Sequence, residues 1–273
     1  MSVSRTDIAG RLLLPLERLG RRTTVALAGL GYAAMLLAES LWFTAAGWAR
    51  GQPVRVRMVV EQMRQVGVDA IPIVSLLSLT IGVMLGIQFI AALGEFGAES
   101  QVVLAAAKSI TREFGALITG IVVAGRSGSS FAARLGSMVV SQEVDALVVL
   151  GIDPVRYLVA PALIAMLVMM PVLTVLADLV AVVGAGLYAA PALDLDLAGY
   201  VLATLGHLET RDLWEGLSKS CVFAVLITLV GVSTGFSVRG GAEGVGRATT
   251  RAVVLSISAI VIADMLFSFF LNR

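Results

Sequence analysis

Residues 125–154 have the sequence GRSGSSFAARLGSMVVSQEVDALVVLGIDP and lie between two strongly hydrophobic segments. This stretch is too polar to cross a membrane and too apolar for an ordinary loop. Within it, Ser137, Ser141 and Asp145 recur every four residues, a spacing that puts them on one face of a helix. The opposite face of that helix is apolar and consists of Val140, Val144, Leu147 and Val148. The pattern predicts an amphipathic helix that lies at a membrane surface.

A sharp corner is predicted directly after this helix. Gly151 offers the left-handed conformation at which helices commonly end. Asp153 is then expected to cap the next helix, with Pro154 at its first position. The segment from Glu143 to Gly151 is similar to the E-A-A…G coupling segment of ABC-transporter permeases, which makes a partner ATPase the leading hypothesis. The alternative is a surface helix that only anchors the loop in the headgroup layer.

The composition is that of a polytopic membrane protein. Hydrophobic residues make up 58% of the chain, charged residues make up 14%, and the mean hydropathy is +0.93. These values lie well outside the range of soluble domains. The formal net charge of +1 gives no electrostatic reason to expect nucleic acid as a partner. The single cysteine, Cys221, excludes an internal disulfide and a multi-cysteine metal site, and no metal site is predicted.

Five segments after residue 69 are long enough to cross a bilayer, which takes about 20 helical residues. They are residues 70–93, 102–124, 155–190, 217–238 and 252–271. The connections 94–101 and 191–212 contain almost no lysine or arginine, whereas residues 126–156 and 239–251 are basic. The positive-inside rule therefore places the first two connections outside and the other two in the cytoplasm.

Residues 1–69 are predicted to form interfacial and elbow helices ahead of a five-helix membrane domain at 70–273. A sixth span at 23–49 is the alternative, but a crossing there would place the arginines of 5–22 or those of 50–64 outside. The predicted fold is thus an all-α membrane protein. It has an N-terminal interfacial helix, five transmembrane helices and a cytoplasmic coupling helix.

Ionised side chains inside the predicted spans need partners, because a charge at the bilayer centre costs on the order of 3 kcal/mol. Glu113 and Lys219 are predicted to pair and to neutralise each other. Such a pair either fastens two helices together or forms a polar site in an apolar cavity. Asp178 and Asp264 are expected to cap or bridge helices.

Two glycines in the first span have a spacing at which membrane helices approach closely. They are Gly82 and Gly86, four residues apart. The spacing is compatible with a homodimer in which the first spans of both copies meet near a shared axis.

No catalytic residues are predicted in this chain. Lys108 and Lys219 are each followed by serine but lack the preceding glycines of a phosphate-binding loop. The stretch 125–128 matches the G-x-S-G of rhomboid-like intramembrane proteases, which need a histidine as general base. The only histidine, His207, lies in a predicted external connection, whereas Ser127 is predicted to be cytoplasmic.

Several motifs occur together in a characteristic order. They are R-E-F-G at 112–115, A-G-R-S-G at 124–128, the segment 143–154, K-S at 219–220 and G-R-A-T-T-R at 246–251. Together they resemble the MlaE/YrbE permease family over roughly residues 50–273. The combination is highly specific, although each motif alone is not.

The resemblance implies a homodimeric or paired permease in the bacterial inner membrane, within an ABC system that moves phospholipids or related lipids between envelope layers. It also implies partner proteins. These are a cytoplasmic ATPase that binds ATP and Mg, a periplasmic MCE-domain protein and, in some systems, a STAS-domain protein. No cofactor is implied in this chain itself.

The resemblance also assigns roles by position. Arg112, Glu113 and Lys219 fall in the motifs near the family's lipid cavity. The first span and its outer turn line the same cavity in relatives, which adds Leu85, Gln88 and Phe96. The cytoplasmic coupling segment of the family is matched by Glu143, Asp145, Gly151, Asp153 and Pro154.

A proton-coupled secondary transporter is the main alternative function. It would use Glu113, Asp178 or Asp264 as proton sites. No inverted repeat relates the two halves of the sequence, and the predicted elbow has no obvious use in such a transporter. A scaffold that only anchors an MCE protein is a third hypothesis, but it would need no charged residues in the spans.

Overall fold

The computed structural model describes residue 24 and residues 27–29, 31–44 and 55–271, and this part of the chain is helical without a β-strand. The predicted all-α class is confirmed. The α-helices are α1 (Leu27–Thr44), α2 (Val56–Val66), α3 (Ile71–Gly94), α4 (Val102–Ser109), α5 (Gly115–Val123), α6 (Ser129–Val140), α7 (Glu143–Val149), α8 (Ala160–Ala192), α9 (Leu197–His207), α10 (Thr210–Phe236) and α11 (Gly241–Leu271). Three π-helical turns accompany them, at Ile110–Phe114, Ala124–Gly128 and Val155–Val159.

Six helical segments in the described part of the chain are long and apolar enough to cross a membrane. They are Leu27–Thr44, Val56–Gly94, Glu99–Val140, Val155–Ala192, Thr210–Phe236 and Gly241–Leu271. Five of them contain the five predicted spans, apart from the last two residues of the fourth, so the chain is a multi-pass membrane protein. The sixth is α1, which qualifies by length and composition alone. The interfacial placement of residues 23–49 stays a prediction, as does the domain boundary at residue 69.

Helix α1 packs against one end of the bundle. Its buried Leu36 belongs to a cluster with Leu135 of α6, Leu158 of the third π turn and Leu229 of α10. These neighbours lie at the ends of the helices that the charge pattern assigns to the cytoplasm. The contacts therefore tie α1 to the cytoplasmic half of the bundle.

The second predicted span continues much further than expected. One helical segment of 42 residues, Glu99–Val140, contains the predicted span 102–124 and continues into the basic connection that was expected to follow it. The first part of that connection is therefore helical up to Val140, and it includes the predicted helical residues 137–140. Arg126 and Arg134 interrupt the apolar pattern, but both find hydrogen-bond acceptors on α2 or just after it, and the helix continues through them.

Helices α3 and α8 approach each other closely over several turns. A Cβ on Gly82 would overlap the carbonyl oxygen of Ala181, and one on Gly86 would lie 2.7 Å from that of Ala185. On the opposite side of the contact, Gly184 leaves room for the carbonyl of Leu79. The glycine spacing thus serves packing within one chain. The prediction that it brings two copies together is not supported.

We predict that Gly82→Ala lowers the stability of the protein, because the added methyl group must push α3 away from the α8 backbone. Overpacking of this kind typically costs about 1–3 kcal/mol. The matched control is Gly246→Ala on α11, where a Cβ would meet nothing within 4 Å. Thermal unfolding of both variants in mild detergent checks the prediction. Equal unfolding midpoints for Gly82→Ala and the unmodified protein would contradict the α3–α8 contact.

Candidate functional site

The deepest charged cluster surrounds the ammonium group of Lys219 on α10. Its Nζ lies 2.6 Å from Oε2 of Glu113 and 3.1 Å from Oδ1 of Asp264. Ser268 of α11 is also close, with Oγ 3.3 Å from the same nitrogen. The predicted pair of Glu113 and Lys219 is therefore present. Asp264 bridges α11 to α10 as predicted, so the cluster joins three helical segments.

This cluster contains more carboxyl groups than cations. One ammonium faces the carboxyl groups of Glu113 and Asp264, and Ser268 donates a further hydrogen bond to Oε1 of Glu113 at 2.9 Å. The Lys219 side chain is only 3% exposed, whereas that of Glu113 is 34% exposed. A molecule that approaches the cluster therefore contacts Glu113. Lys219 is enclosed and influences such a molecule only through its partners Glu113 and Asp264.

A second charged layer lies on the next turns of the same helices. Nε of Arg112 lies 2.5 Å from Oδ1 of Asp212 and 3.6 Å from Oε2 of Glu215. Asp212 is completely buried, and its other oxygen accepts the backbone N–H of Glu209 at 2.9 Å, which caps the start of α10. Arg211 also pairs with Glu215, at 2.9 Å. Two arginines and two carboxylates thus balance each other in this layer.

The two layers are about 6–10 Å apart along α10, since Glu215 and Asp212 lie four and seven residues from Lys219 at 1.5 Å per residue. Both layers draw on the π turn Ile110–Phe114, which carries the neighbouring residues Arg112 and Glu113. Turns of this kind insert an extra residue into a helix and are frequent at functional sites. Here the turn supplies one side chain to each layer.

Asp178 of α8 lies directly behind this π turn. A Cβ on Gly115, the residue after the turn, would overlap Oδ1 of Asp178, so a larger residue there would force the Asp178 side chain to move. Asp178 is buried, and within the described part of the chain its Oδ1 has no hydrogen-bond partner. The predicted capping or bridging role is therefore not found for Asp178.

The structure separates the three cavity residues predicted on the first span. Leu85 is buried in the apolar cluster that also contains Ile110, the first residue of the π turn. Gln88 is exposed on α3, and Phe96 is 82% exposed in the turn that follows α3. Leu85 is thus close to the charged layers, whereas Gln88 and Phe96 lie on the outer surface of this single chain.

The predicted amphipathic helix over residues 137–148 is interrupted. Helix α6 ends at Val140, Gln142 adopts a left-handed conformation with φ of 61°, and α7 begins at Glu143. The hydroxyl of Ser141 donates to the carbonyl of Ser137 and to the carboxylate of Glu143. Such side-chain bonds compete with the helical backbone, which favours a break at this polar run.

The corner after α7 has the predicted chemistry. Gly151 has a φ of 72°, as expected for a left-handed helix stop. Oδ1 of Asp153 accepts the backbone N–H of Val155 at 2.8 Å and that of Arg156 at 3.2 Å, which makes Asp153 the predicted cap. Pro154 follows in helical conformation. The predicted sequence of helix, corner and helix is confirmed here.

Helix α7 is fixed on one side and open on the other. Val144 and Leu147 pack against the cluster that contains Leu36 of α1. The opposite side exposes Glu143, Asp145, Ala146 and Val148. Val149 at the end of α7 is 87% exposed, and Leu150 directly after it is 73% exposed. We call α7 and the corner that follows it, residues 143–154, the elbow. The elbow therefore presents an apolar surface with two acidic residues, Glu143 and Asp145, at its edge.

The fold and these sites together define a multi-pass helical membrane protein, with charges held between its spans and an exposed elbow at one end. The chain belongs to the MlaE permease family, because the family model described as Permease MlaE matches residues 59–270. This finding confirms the resemblance seen in the sequence motifs.

Three relatives illustrate the range of the family. A probable ABC transporter permease protein of Rickettsia prowazekii is 36% identical over 216 residues, which cover 79% of this chain and 83% of the relative. The chloroplastic protein TRIGALACTOSYLDIACYLGLYCEROL 1 of Arabidopsis thaliana is 35% identical over 78% of this chain and 61% of its own length. The intermembrane phospholipid transport system permease protein MlaE of Haemophilus influenzae is 30% identical over 77% and 81%.

We predict that Lys219→Met destabilises the protein strongly, because it leaves Glu113 and Asp264 next to each other without a cation. Removing one partner of a buried ion pair typically costs about 3–5 kcal/mol. Glu113→Gln should destabilise the protein less, since Lys219 keeps its ion pair with Asp264.

The exposed pair of Arg247 and Glu243 provides the control, because Arg247→Met should change stability by less than about 1 kcal/mol. The measurement is the unfolding midpoint of each variant in mild detergent. A Lys219→Met protein as stable as the Arg247→Met control would contradict the cluster.

Proposed function

We propose that the chain is the permease subunit of an ABC transporter that moves phospholipids or related lipids between the inner membrane and the outer envelope. Membership in the MlaE permease family supports this proposal, as does the printed name of the Haemophilus relative, which refers to intermembrane phospholipid transport. The exposed elbow at α7 is the observation that supports coupling of this chain to a separate ATPase. A permease that hydrolyses no ATP needs such a surface to receive the motion of its partner.

The long helical segment Glu99–Val140 offers a route for this motion. It carries Arg112 and Glu113 in its first half and ends at the turn before α7. From Glu113 to Val140 it spans 27 residues, or roughly 40 Å at 1.5 Å per residue. Closure of the ATPase dimer would push α7, and this continuous segment would transmit the displacement to the charged layers. The two resulting states would differ in their affinity for lipid.

Lipid headgroups would meet Arg112 and Glu113 in this mechanism. Both side chains are partly exposed, at 25% and 34%, whereas Lys219 is enclosed at 3%. Lys219 would therefore hold Glu113 in place, and the acyl chains would contact apolar residues near Leu85. A second permease copy, whether identical or related, would complete the cavity, to which Gln88 and Phe96 would contribute from the outer surface of each chain.

The remaining partners of the proposed system follow from the family. They are the cytoplasmic ATPase with bound ATP and Mg, a periplasmic MCE-domain protein and, in some systems, a STAS-domain protein. Mass spectrometry of the tagged protein purified from its native membrane tests this assembly. We expect a P-loop ATPase, an MCE-domain protein and phospholipid to co-purify. A single-subunit preparation that transports in a proton gradient without ATP would favour the proton-coupled alternative instead.

Asp145→Lys is expected to uncouple lipid transport from ATP hydrolysis, because it reverses the charge on the exposed side of α7 without disturbing a buried contact. Transport in reconstituted vesicles should fall at least about tenfold, with unchanged thermal unfolding. Glu143→Lys should act in the same direction, although it also removes the contact with Ser141. The control is Glu243→Lys on α11, which reverses an exposed acidic residue outside the elbow. Full transport by Asp145→Lys would exclude this role for the elbow.

A further inference from the structure

A second polar region lies far from the charged layers, between the end of α2 and the segment Glu99–Val140. Nη1 of Arg126 donates to the carbonyl oxygen of Gln65 at 2.8 Å, and Nη2 lies 3.6 Å from Oδ2 of Asp69. Two turns further along, Nη2 of Arg134 donates to the amide oxygen of Gln62 at 3.0 Å. We call these five residues the arginine seam.

The arginine seam contains a guanidinium group without a close carboxylate. Arg126 lies near Asp69, whereas Arg134 has no carboxylate within 4.0 Å among the described residues and interacts with Glu61 of α2 only from a greater distance. The buried Nε of Arg134 also has no hydrogen-bond acceptor. A buried donor without an acceptor is destabilising, and more so when the group is charged. The seam therefore contains an unpaired charged donor that an anion would satisfy.

The surroundings of the seam are open and apolar on its membrane side. Gly120 and Gly128 pack against Phe223 and Ile227 of α10, but a Cβ on Gly125 would meet no described atom within 4 Å. One turn from Gly125, on the same face of the helix, Ile121 is 37% exposed. An acyl chain can therefore lie along this face of the helix while an anionic group reaches Arg126.

We propose that the arginine seam binds the phosphate group of a phospholipid from the cytoplasmic leaflet. Arginine suits this ligand because its planar guanidinium donates two parallel hydrogen bonds to phosphate oxygens. The seam lies at the end of the bundle that the charge pattern assigns to the cytoplasm. It is 13 to 21 residues, or about 20–30 Å, along the helix from Glu113. It is thus a second lipid site, separate from the one under Proposed function.

Native mass spectrometry of the full chain in a neutral detergent tests the site. The background is Arg112→Gln, so that lipid bound at the charged layers contributes less. Dioleoylphosphatidylglycerol is added to the protein in increasing amounts. The fraction of protein molecules with bound lipid in the mass spectrum then gives the affinity. Arg134→Gln should weaken this affinity about tenfold, the loss expected for one charge-assisted hydrogen bond. Arg64→Gln, which changes an exposed arginine on α2 outside the seam, should change it less than twofold.

Four further measurements separate the outcomes. Arg134→Lys keeps the charge and should restore part of the affinity, and the unfolding midpoint of each variant shows that the protein is folded. Dioleoylglycerol, which has the same acyl chains without phosphate, should not bind to the seam. Inorganic phosphate at millimolar concentration should not displace the lipid; if it does so as effectively as added lipid, the seam is a site for free phosphate and the proposal is wrong. Equal effects of Arg134→Gln and Arg64→Gln would also overturn it. None of these outcomes depends on transport or on the ATPase.

Discussion

The ammonium group of Lys219 is the constraint on which the arrangement of the spans depends. A charge between membrane helices must be neutralised by protein groups, because neither lipid nor bulk water surrounds it. The two carboxylates that do so come from different places in the chain: Glu113 from the π turn Ile110–Phe114 and Asp264 from α11. Moving either helix away from α10 would leave a charge unpaired. The cluster thus fixes the relative positions of three helical segments through one side chain.

The same constraint explains why the π turn is retained in a long helix. The turn places Arg112 in the layer of Asp212 and Glu113 in the layer of Lys219, so that neighbouring residues serve partners seven residues apart on α10. Gly115 then lets α8 come close enough for Asp178 to fill the space behind the turn. Beyond it the helix continues to Val140 and the elbow. Charged layers and elbow therefore share one continuous segment, and a displacement at one end has a direct path to the other.

Sequence reasoning identified the features that rest on strong local physics. The cost of a charge in a bilayer predicted the pair of Glu113 and Lys219, and helix-end chemistry predicted the corner from Gly151 to Pro154. It failed where the outcome depends on which neighbour a residue meets. Hydropathy ended the second span before Arg126, because it does not register the carbonyl and carboxylate acceptors that Gln65 and Asp69 offer. Periodicity ran through Gln142, since apolar spacing does not reveal a left-handed residue. The spacing of Gly82 and Gly86 indicated a close contact but not its partner, which is α8.

Cations have different neighbours at two positions along the segment Glu99–Val140. Around Lys219 one more carboxyl group than cation is present, and the nearby Arg112 and Arg211 are already paired with Asp212 and Glu215. At the arginine seam Arg126 lies near Asp69, but Arg134 has no carboxylate within 4.0 Å among the described residues, and Glu61 acts on it from a greater distance. An anion would therefore compete with fewer close carboxylates at Arg134 than at the charged layers. The arrangement of charges thus favours the seam over the charged layers as a site for a phosphate group.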